Sequence, residues 1–194
     1  MSDYIRIFRP MPTGQQYEWV VVEDGPSSWQ MGQAIFWSPA RRPGDVWPSV
    51  RMDLVTEIHG RRALRAKVPW EGNQTLVLRD EAIDSLSPIL AAEGELLPLE
   101  CDSARLIMFT AGRAPDESIV EERSRLPRKS PLAEHFEIEH IVLDGALLRG
   151  RRAFEIHNGL SFQLLLQEDL VAELEATGDT DGISFESVGY VERS

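Results

Sequence analysis

The chain has 194 residues, of which 42% are hydrophobic and 27% are charged, a composition that favours a folded globular protein over a disordered one. It carries 32 acidic and 20 basic residues, a formal net charge of −12. That charge disfavours nucleic acid and anionic lipid as partners. It favours a basic partner or, as the alternative, serves solubility alone.

The sequence predicts a cytoplasmic protein without a membrane anchor. No apolar run approaches the roughly 20 residues that a spanning helix needs. Residues 1–9 lack the apolar core of a signal peptide. The single cysteine, Cys101, excludes an intramolecular disulfide and fits a reducing compartment.

Along the chain, predicted strands outnumber predicted helices. Residues 1–50 are rich in aromatic residues and turn formers, and they predict short strands at 4–9 and 17–23 between long loops. Residues 52–59 fit a strand or a short helix. Further strands are predicted at 62–69, 75–78, 95–100, 104–110, 136–143, 153–157, 162–166 and 182–188. This order predicts an α+β fold with a mixed, mostly antiparallel sheet.

Two helices are predicted. The first runs over 80–92, with Asp80 as its N-cap, Gly94 as its stop and Pro88 as a point that shortens or kinks it. The second runs over 169–177 and ends at Gly178.

Two stretches of the chain resemble each other. Residues 76–86 and 164–174 both read as an apolar strand, an acidic step and an amphipathic helix. Upstream of each lies a Gly-Arg-Arg-Ala segment, and downstream lies a strand. The sequence therefore predicts two strand-strand-helix-strand units, over about 52–100 and 142–188. Their helices are expected to pack on equivalent sheet positions through Ile83, Leu86, Val171 and Leu174.

The length is sufficient for one domain over 1–194. The alternative is two packed halves, 1–110 and 132–194, joined by the charged connection 111–131. That connection is expected to be exposed, with a helical turn around residues 119 and 120.

The segment 135–140 offers the best candidate for chemistry. On a strand, His135, Glu137 and Glu139 point to one face and could bind zinc or supply an acid and a base. No recognised metal-site spacing follows them. A half-buried strand with Phe136 and Ile138 inward and an acidic outer face is the favoured interpretation.

Other catalytic patterns are weak. Cys101 has no nucleophile motif around it, and the chain has neither a Gly-x-Ser-x-Gly elbow nor a phosphate-binding glycine loop. Four of the five tryptophans lie within residues 1–50, where they either form an aromatic cage or, more commonly, pin loops to a core. Two basic clusters either grip an anion or form solvated hairpin edges, the favoured view: Arg61, Arg62, Arg65 and Lys67, and Arg149, Arg151 and Arg152.

Several short stretches resemble a known family. They are the Trp-Gln-Met-Gly step at 29–32, the strand and helix over 76–86, and the Glu-Leu-Leu-Pro-Leu step at 95–99. Residues 153–156, which precede the second helix, and the closing strand 182–188 complete the pattern. Together they resemble the type-eleven family of immunity proteins found beside polymorphic toxins in bacteria, a family long classed as a domain of unknown function. The chain departs from that family at the helix starts, where Asp80 and Glu168 replace a serine.

The resemblance implies a protein that binds and neutralises a cognate toxin, with no catalytic residues, no metal and no cofactor. The acidic charge predicts a basic toxin. The candidate contact residues are Asp116, Glu117, Glu121, Glu122, Glu137, Glu139, Trp29, Trp37 and Trp47. Two alternatives remain: a small metal-dependent hydrolase centred on residues 135–140, and a chaperone or adaptor for a secreted effector.

Overall fold

The computed structural model of this protein describes residues 4–23, 47–72, 75–126, 138–158 and 161–193, together with residues 25, 31 and 45. Within them the chain forms an α+β fold of mostly antiparallel strands, which confirms the predicted class. The strands are β1 (Tyr4–Pro12), β2 (Trp19–Val22), β3 (Met52–Val55), β4 (Glu57–Ile58), β5 (Arg61–Arg62), β6 (Leu76–Arg79), β7 (Gly94–Leu99), β8 (Leu106–Ala111), β9 (Ile141–Asp144), β10 (Ala153–Asn158), β11 (Ser161–Gln167) and β12 (Ile183–Glu192). The α-helices are α1 (Glu81–Leu90), α2 (Gly145–Leu148) and α3 (Glu168–Ala176), and 3₁₀ helices span Asp116–Ser118 and Glu121–Arg123.

The larger sheet has five strands in the order β10-β11-β1-β12-β9. Strand β1 pairs antiparallel with both β11 and β12, and β9 runs parallel to β12. One face covers a core that includes Ile7, Leu143, Phe154 and Leu165. Residues from the beginning and the end of the chain therefore share one sheet.

The smaller sheet has three strands in the order β6-β8-β7. One face packs against α1 and α3, and the other packs against β2 and β3. The chain after β8 then reaches the larger sheet, because the Ala114 N–H donates to the Glu155 carbonyl at 2.8 Å. The two sheets are thus joined along one edge.

The predicted repeat is confirmed for its strand-helix-strand part. Strands β6 and β7 flank β8 antiparallel, as β11 and β12 flank β1, so each unit holds a third strand between its own two. The helices α1 and α3 bury Ile83, Leu86, Val171 and Leu174 in one shared core. The preceding strands are not equivalent, because β10 pairs with β11 whereas β5 pairs with β4 in a separate hairpin.

Several predicted boundaries are wrong, and pairing explains why. The predicted strand 62–69 is reduced to β5, which pairs with β4 across a turn where His59 and Gly60 take positive φ values of 50° and 73°. After β5 the Leu64 N–H donates to the Gln16 carbonyl and the Lys67 N–H to the Asp181 carbonyl, so the following residues bond to separate segments instead of to one neighbouring strand. The predicted strand 136–143 begins only at Ile141, where pairing with Gly189 starts; residues 136 and 137 lie outside the described ranges.

The two glycines at the helix ends differ in role. Gly178, at φ 72°, follows the end of α3 as predicted. Gly94 does not stop α1, which ends earlier at Leu90; it begins β7 instead. A Cβ at Gly94 would lie 2.2 Å from the Thr110 carbonyl oxygen, so close strand approach explains this glycine.

Asp80 occupies the N-cap position of α1, as the sequence predicts, but without the capping contact expected there. Its side chain makes no capping hydrogen bond to α1, and its backbone lies at φ 48° and ψ −111°. The carboxylate is instead committed to arginines, with Oδ1 accepting from the Arg105 N–H at 3.0 Å and Oδ2 from Arg65 Nη2 at 3.0 Å.

Among the described residues, no helix is both long and apolar enough to cross a bilayer.

Candidate partner-binding surface

The acidic segment 115–126 is fixed along the free edge of β9. The Val120 N–H donates to the Val142 carbonyl at 2.9 Å, and the Arg125 N–H donates to the His140 carbonyl at 2.7 Å. The Val142 N–H donates to Ser124 Oγ at 3.0 Å. Within the predicted connection 111–131, residues 115–126 therefore form an edge segment bound to β9, which also places Ile119 and Leu126 against the core below.

The four predicted acidic residues of this segment are all exposed. Asp116 is paired, because Arg113 Nη2 lies 2.9 Å from its Oδ1. Glu117, Glu121 and Glu122 form no ion pair with any other described residue. Three carboxylates thus face solvent from a fixed backbone, without a cation that neutralises them within the described ranges.

An aromatic cluster lies beside this segment. The Tyr190 ring on β12 is tilted against the Tyr4 ring of β1 at 5.4 Å between centroids, and against the His140 ring at 5.6 Å. The Arg123 guanidinium lies 5.8 Å from the centre of the Tyr190 ring. We call Tyr4, Arg123, His140 and Tyr190 the Tyr190 patch.

The Tyr190 patch is partly open to solvent, with Tyr4 51% exposed. Arg123 Nη2 donates to the Tyr190 hydroxyl at 2.6 Å, and Arg123 Nη1 lies 2.5 Å from Glu192 Oε1. The hydrogen bond to Tyr190 and then that to Glu192 raise the pKa of Arg123 above its ordinary value. Arg123 therefore stays cationic and is committed to the patch, so it leaves Glu121 and Glu122 uncompensated.

The other predicted contact residues lie apart from this patch or outside the described ranges. Trp47 Nε1 donates to the Pro98 carbonyl at 2.8 Å, and the ring packs beside the core under β2 and β3. This supports the interpretation that Trp47 pins a loop. Glu139 is exposed next to His140. Trp29, Trp37 and Glu137 lie outside the described residues.

His140 and Cys101, which were both considered for catalysis, lie in different parts of the fold. His140 contacts Tyr190, and His135 lies outside the described residues. Cys101 is half-buried, with Sγ 3.4 Å from Ser103 Oγ. Within the described ranges, no three His, Cys, Asp or Glu side chains are grouped so that they could hold a metal ion.

The basic clusters divide into two kinds. Arg61 and Arg62 are exposed in the β4–β5 hairpin, as the solvated-edge interpretation predicts. Three others pair with carboxylates, which that interpretation did not foresee. Arg65 binds Asp80 and Glu81, Lys67 binds Asp179, and Arg152 binds Glu93 and Glu173.

Three members of the Tyr190 patch, Tyr4, Arg123 and Tyr190, were not predicted as functional residues. They meet because β1 pairs with β12 and because the acidic segment follows β9. No periodicity within a single segment contains that information.

In comparisons with known proteins, no protein-family model matches this chain, and no curated protein matches it either.

Proposed function

We propose that this chain is an immunity protein that binds and neutralises a cognate bacterial toxin domain in the cytoplasm. The observation that carries the proposal is the combination of three uncompensated carboxylates with an open aromatic patch on one ordered edge. Partner-binding surfaces characteristically combine tyrosine and arginine at their centre with polar groups around them.

The charge of the surface supports a basic partner. Glu117, Glu121 and Glu122 add to a chain whose formal net charge is −12. Such a surface accelerates encounter with a cationic protein and discriminates against acidic ones. A toxin that acts on nucleic acid binds the phosphates through lysine and arginine side chains, so an acidic protein surface that covers those side chains would block it.

The rigidity of the surface supports tight binding. The acidic segment is hydrogen bonded to β9, and the Tyr190 patch takes Tyr4 and Tyr190 from the paired strands β1 and β12. Little conformational entropy is then lost on association. We expect an interface of about 1,600 Å² or above, the standard size for stable complexes.

Inhibition of a toxin tests this function directly. A candidate toxin domain from the gene neighbourhood is produced with and without this chain, and growth of the host, complex formation and toxin activity are measured. We expect restored growth, a stoichiometric complex and loss of toxin activity. Binding without inhibition would support the adaptor alternative, and absence of binding would overturn the proposal.

A further inference from the structure

An open groove of about 390 Å³ lies between helix α3 and the strands β1 and β12. Its floor is apolar and is formed by Phe8, Val171 and Phe185. This volume lies in the range of ligand-binding clefts, about 300–1,000 Å³.

The rim of the groove is acidic. Glu168, Asp169 and Glu175 line it, all from α3. Asp169 is 58% exposed, and its nearest cation within the described ranges is Arg152, at the long distance of 3.8 Å. Glu175 is exposed and forms no ion pair with another described residue.

The lining also contains a cation of the protein itself. The Arg6 guanidinium lies 5.7 Å from the centre of the Phe8 ring, and Arg6 Nε donates to Glu168 Oε2 at 2.9 Å. Arg6 is 61% exposed on its side chain, so this contact is a weak surface pair. The geometry shows how the groove accommodates a guanidinium: an aromatic face below and a carboxylate beside it.

The groove is continuous with the Tyr190 patch. Tyr4, Arg6 and Phe8 alternate along β1, so their side chains leave the same face of the sheet. Arg6 is also the register partner of Tyr190 on β12. A partner that covers the Tyr190 patch therefore reaches the groove across one strand.

We infer that this groove receives an arginine or lysine side chain of the toxin, which displaces Arg6 from Glu168. A long cationic side chain suits the site, because its apolar stem covers Phe8 and Phe185 while its charged end meets the carboxylates. Arg6 then acts as an intramolecular competitor that occupies the site in the free protein. This inference rests on the proposed function for the identity of the partner.

The groove is tested without the toxin by titrating the labelled full chain with the peptide acetyl-Gly-Arg-Gly-amide and following backbone amide signals by NMR. The matched control is the same peptide with citrulline, which has nearly the same shape and no charge. We expect saturable shifts at α3 and Phe185 with the arginine peptide only. Equal shifts with both peptides, or none at α3, would overturn the inference.

Two variants sharpen the test. Arg6→Gln removes the competitor and should strengthen peptide binding roughly twofold to fivefold, the size of one exposed charge contact. The double variant Glu168→Gln with Glu175→Gln should abolish it, whereas Glu57→Gln on β4 should not change it. A circular dichroism spectrum of each variant checks that α3 is intact. Weaker binding by Arg6→Gln would contradict the competitor role.

The same variants separate this inference from the proposed function. If the toxin binds equally well to the Glu168 and Glu175 double variant, the groove is not part of the interface although the function stands. If the peptide binds at α3 but the toxin does not bind the chain, the groove stands as a cation site and the proposed function fails.

Discussion

Asp80 and Arg105 are joined by three hydrogen bonds. The Asp80 Oδ1 atom accepts from the Arg105 N–H at 3.0 Å, the Asp80 N–H donates to the Arg105 carbonyl at 3.1 Å, and Arg105 Nη2 donates to the Asp80 carbonyl at 2.9 Å. The backbone of Asp80, at φ 48° and ψ −111°, is close to the first central position of a type II′ turn, which glycine favours. A residue other than glycine keeps such a conformation only where surrounding contacts hold it there. The three hydrogen bonds do so here, because they connect the end of β6 and the start of α1 to the start of β8.

Replacing Asp80 with asparagine should destabilise the protein by about 1.5–3 kcal/mol, the range for a hydrogen bond to a charged group. Asparagine tolerates positive φ, so the change isolates the loss of charge opposite Arg65 and Arg79. Denaturant unfolding gives the free energy. The matched control is Asp84→Asn, which removes a 71% exposed carboxylate beside Arg105 and should change stability by no more than about 0.5 kcal/mol.

The effect of Asp80→Asn should depend on pH. Burial would raise the pKa of Asp80, but the hydrogen bonds from the Arg105 N–H and from Arg65, together with the charge of Arg79, outweigh it and hold the pKa below its usual value. A carboxyl group whose pKa is lower in the folded state than in the unfolded state, where it is about 3.9, stabilises the fold fully above about pH 3.9. That stability is lost as the pH falls through the pKa of the folded state. The difference in the free energy of unfolding between the native chain and the variant should therefore be largest at pH 7 and should shrink as the pH falls below about 3.9. A constant difference would show that charge is not the cause.

How much the sequence predicts depends on how far apart in the chain the interacting residues lie. The units around α1 and α3 were predicted because strand, acidic step and amphipathic helix are adjacent in sequence. The insertion of β1 between β11 and β12 could not be predicted, because it depends on the pairing of Ile7 with Gln167 and Gly189, which lie far from it in the sequence. The Tyr190 patch depends on that same pairing. The position of Asp80 at the start of α1 could be predicted because it is local, but the contact of its carboxylate with Arg105 could not, because Arg105 lies next to another strand.

Gly182 should tolerate no side chain. At φ 105°, an added Cβ would lie 2.7 Å from the Val68 carbonyl oxygen and 2.8 Å from the Ala66 Cβ. Gly178, at φ 72°, has no described atom within 4 Å of the same position and serves as the control. We expect Gly178→Ala to cost about 1–2 kcal/mol for its backbone conformation alone, and Gly182→Ala to cost about 1–3 kcal/mol more for the overlap. Equal losses in thermal unfolding would contradict the close approach of the two segments.

Gln163 and Gln167 lie on the same strand and should respond in opposite ways to an apolar replacement. Gln163 is fully buried, and neither its Nε2 nor its Oε1 has a hydrogen-bond partner among the described residues. Gln167 Nε2 donates to the Arg151 carbonyl at 2.9 Å. An unsatisfied buried polar group costs about 1–3 kcal/mol, so Gln163→Met should raise the free energy of unfolding by about that amount. Gln167→Met should lower it, because the Arg151 carbonyl loses a donor. Destabilisation by Gln163→Met would show that its amide has a structural role.

Tyr190 should be the centre of the partner interface if the proposed function holds. Tyr190→Ala removes the ring that Tyr4, His140 and Arg123 contact, and it should weaken binding of the toxin by about 2 kcal/mol or more, as for a hot spot. Tyr190→Phe keeps the ring and loses only the hydroxyl bonded to Arg123, so it should bind nearly as the native chain does. Calorimetry with the purified toxin domain measures both. Native affinity in Tyr190→Ala would remove this patch from the interface.

The acidic segment should control the rate of association. Reversing Glu121 and Glu122 to lysine places two cations where the uncompensated carboxylates lie, so a basic toxin should be repelled during encounter. The control pair Asp53→Lys with Glu57→Lys makes the same change in net charge on the exposed positions of β3 and β4. We expect the association rate constant to fall, and its dependence on salt to weaken, for the Glu121 and Glu122 variant more than for the control. Dissociation should change little, because rim charges act mainly on encounter. If both double variants slow association equally, the net charge of the chain attracts the toxin and this segment has no special role. If neither double variant slows association and salt has no effect on the rate, the electrostatic account of recognition is wrong.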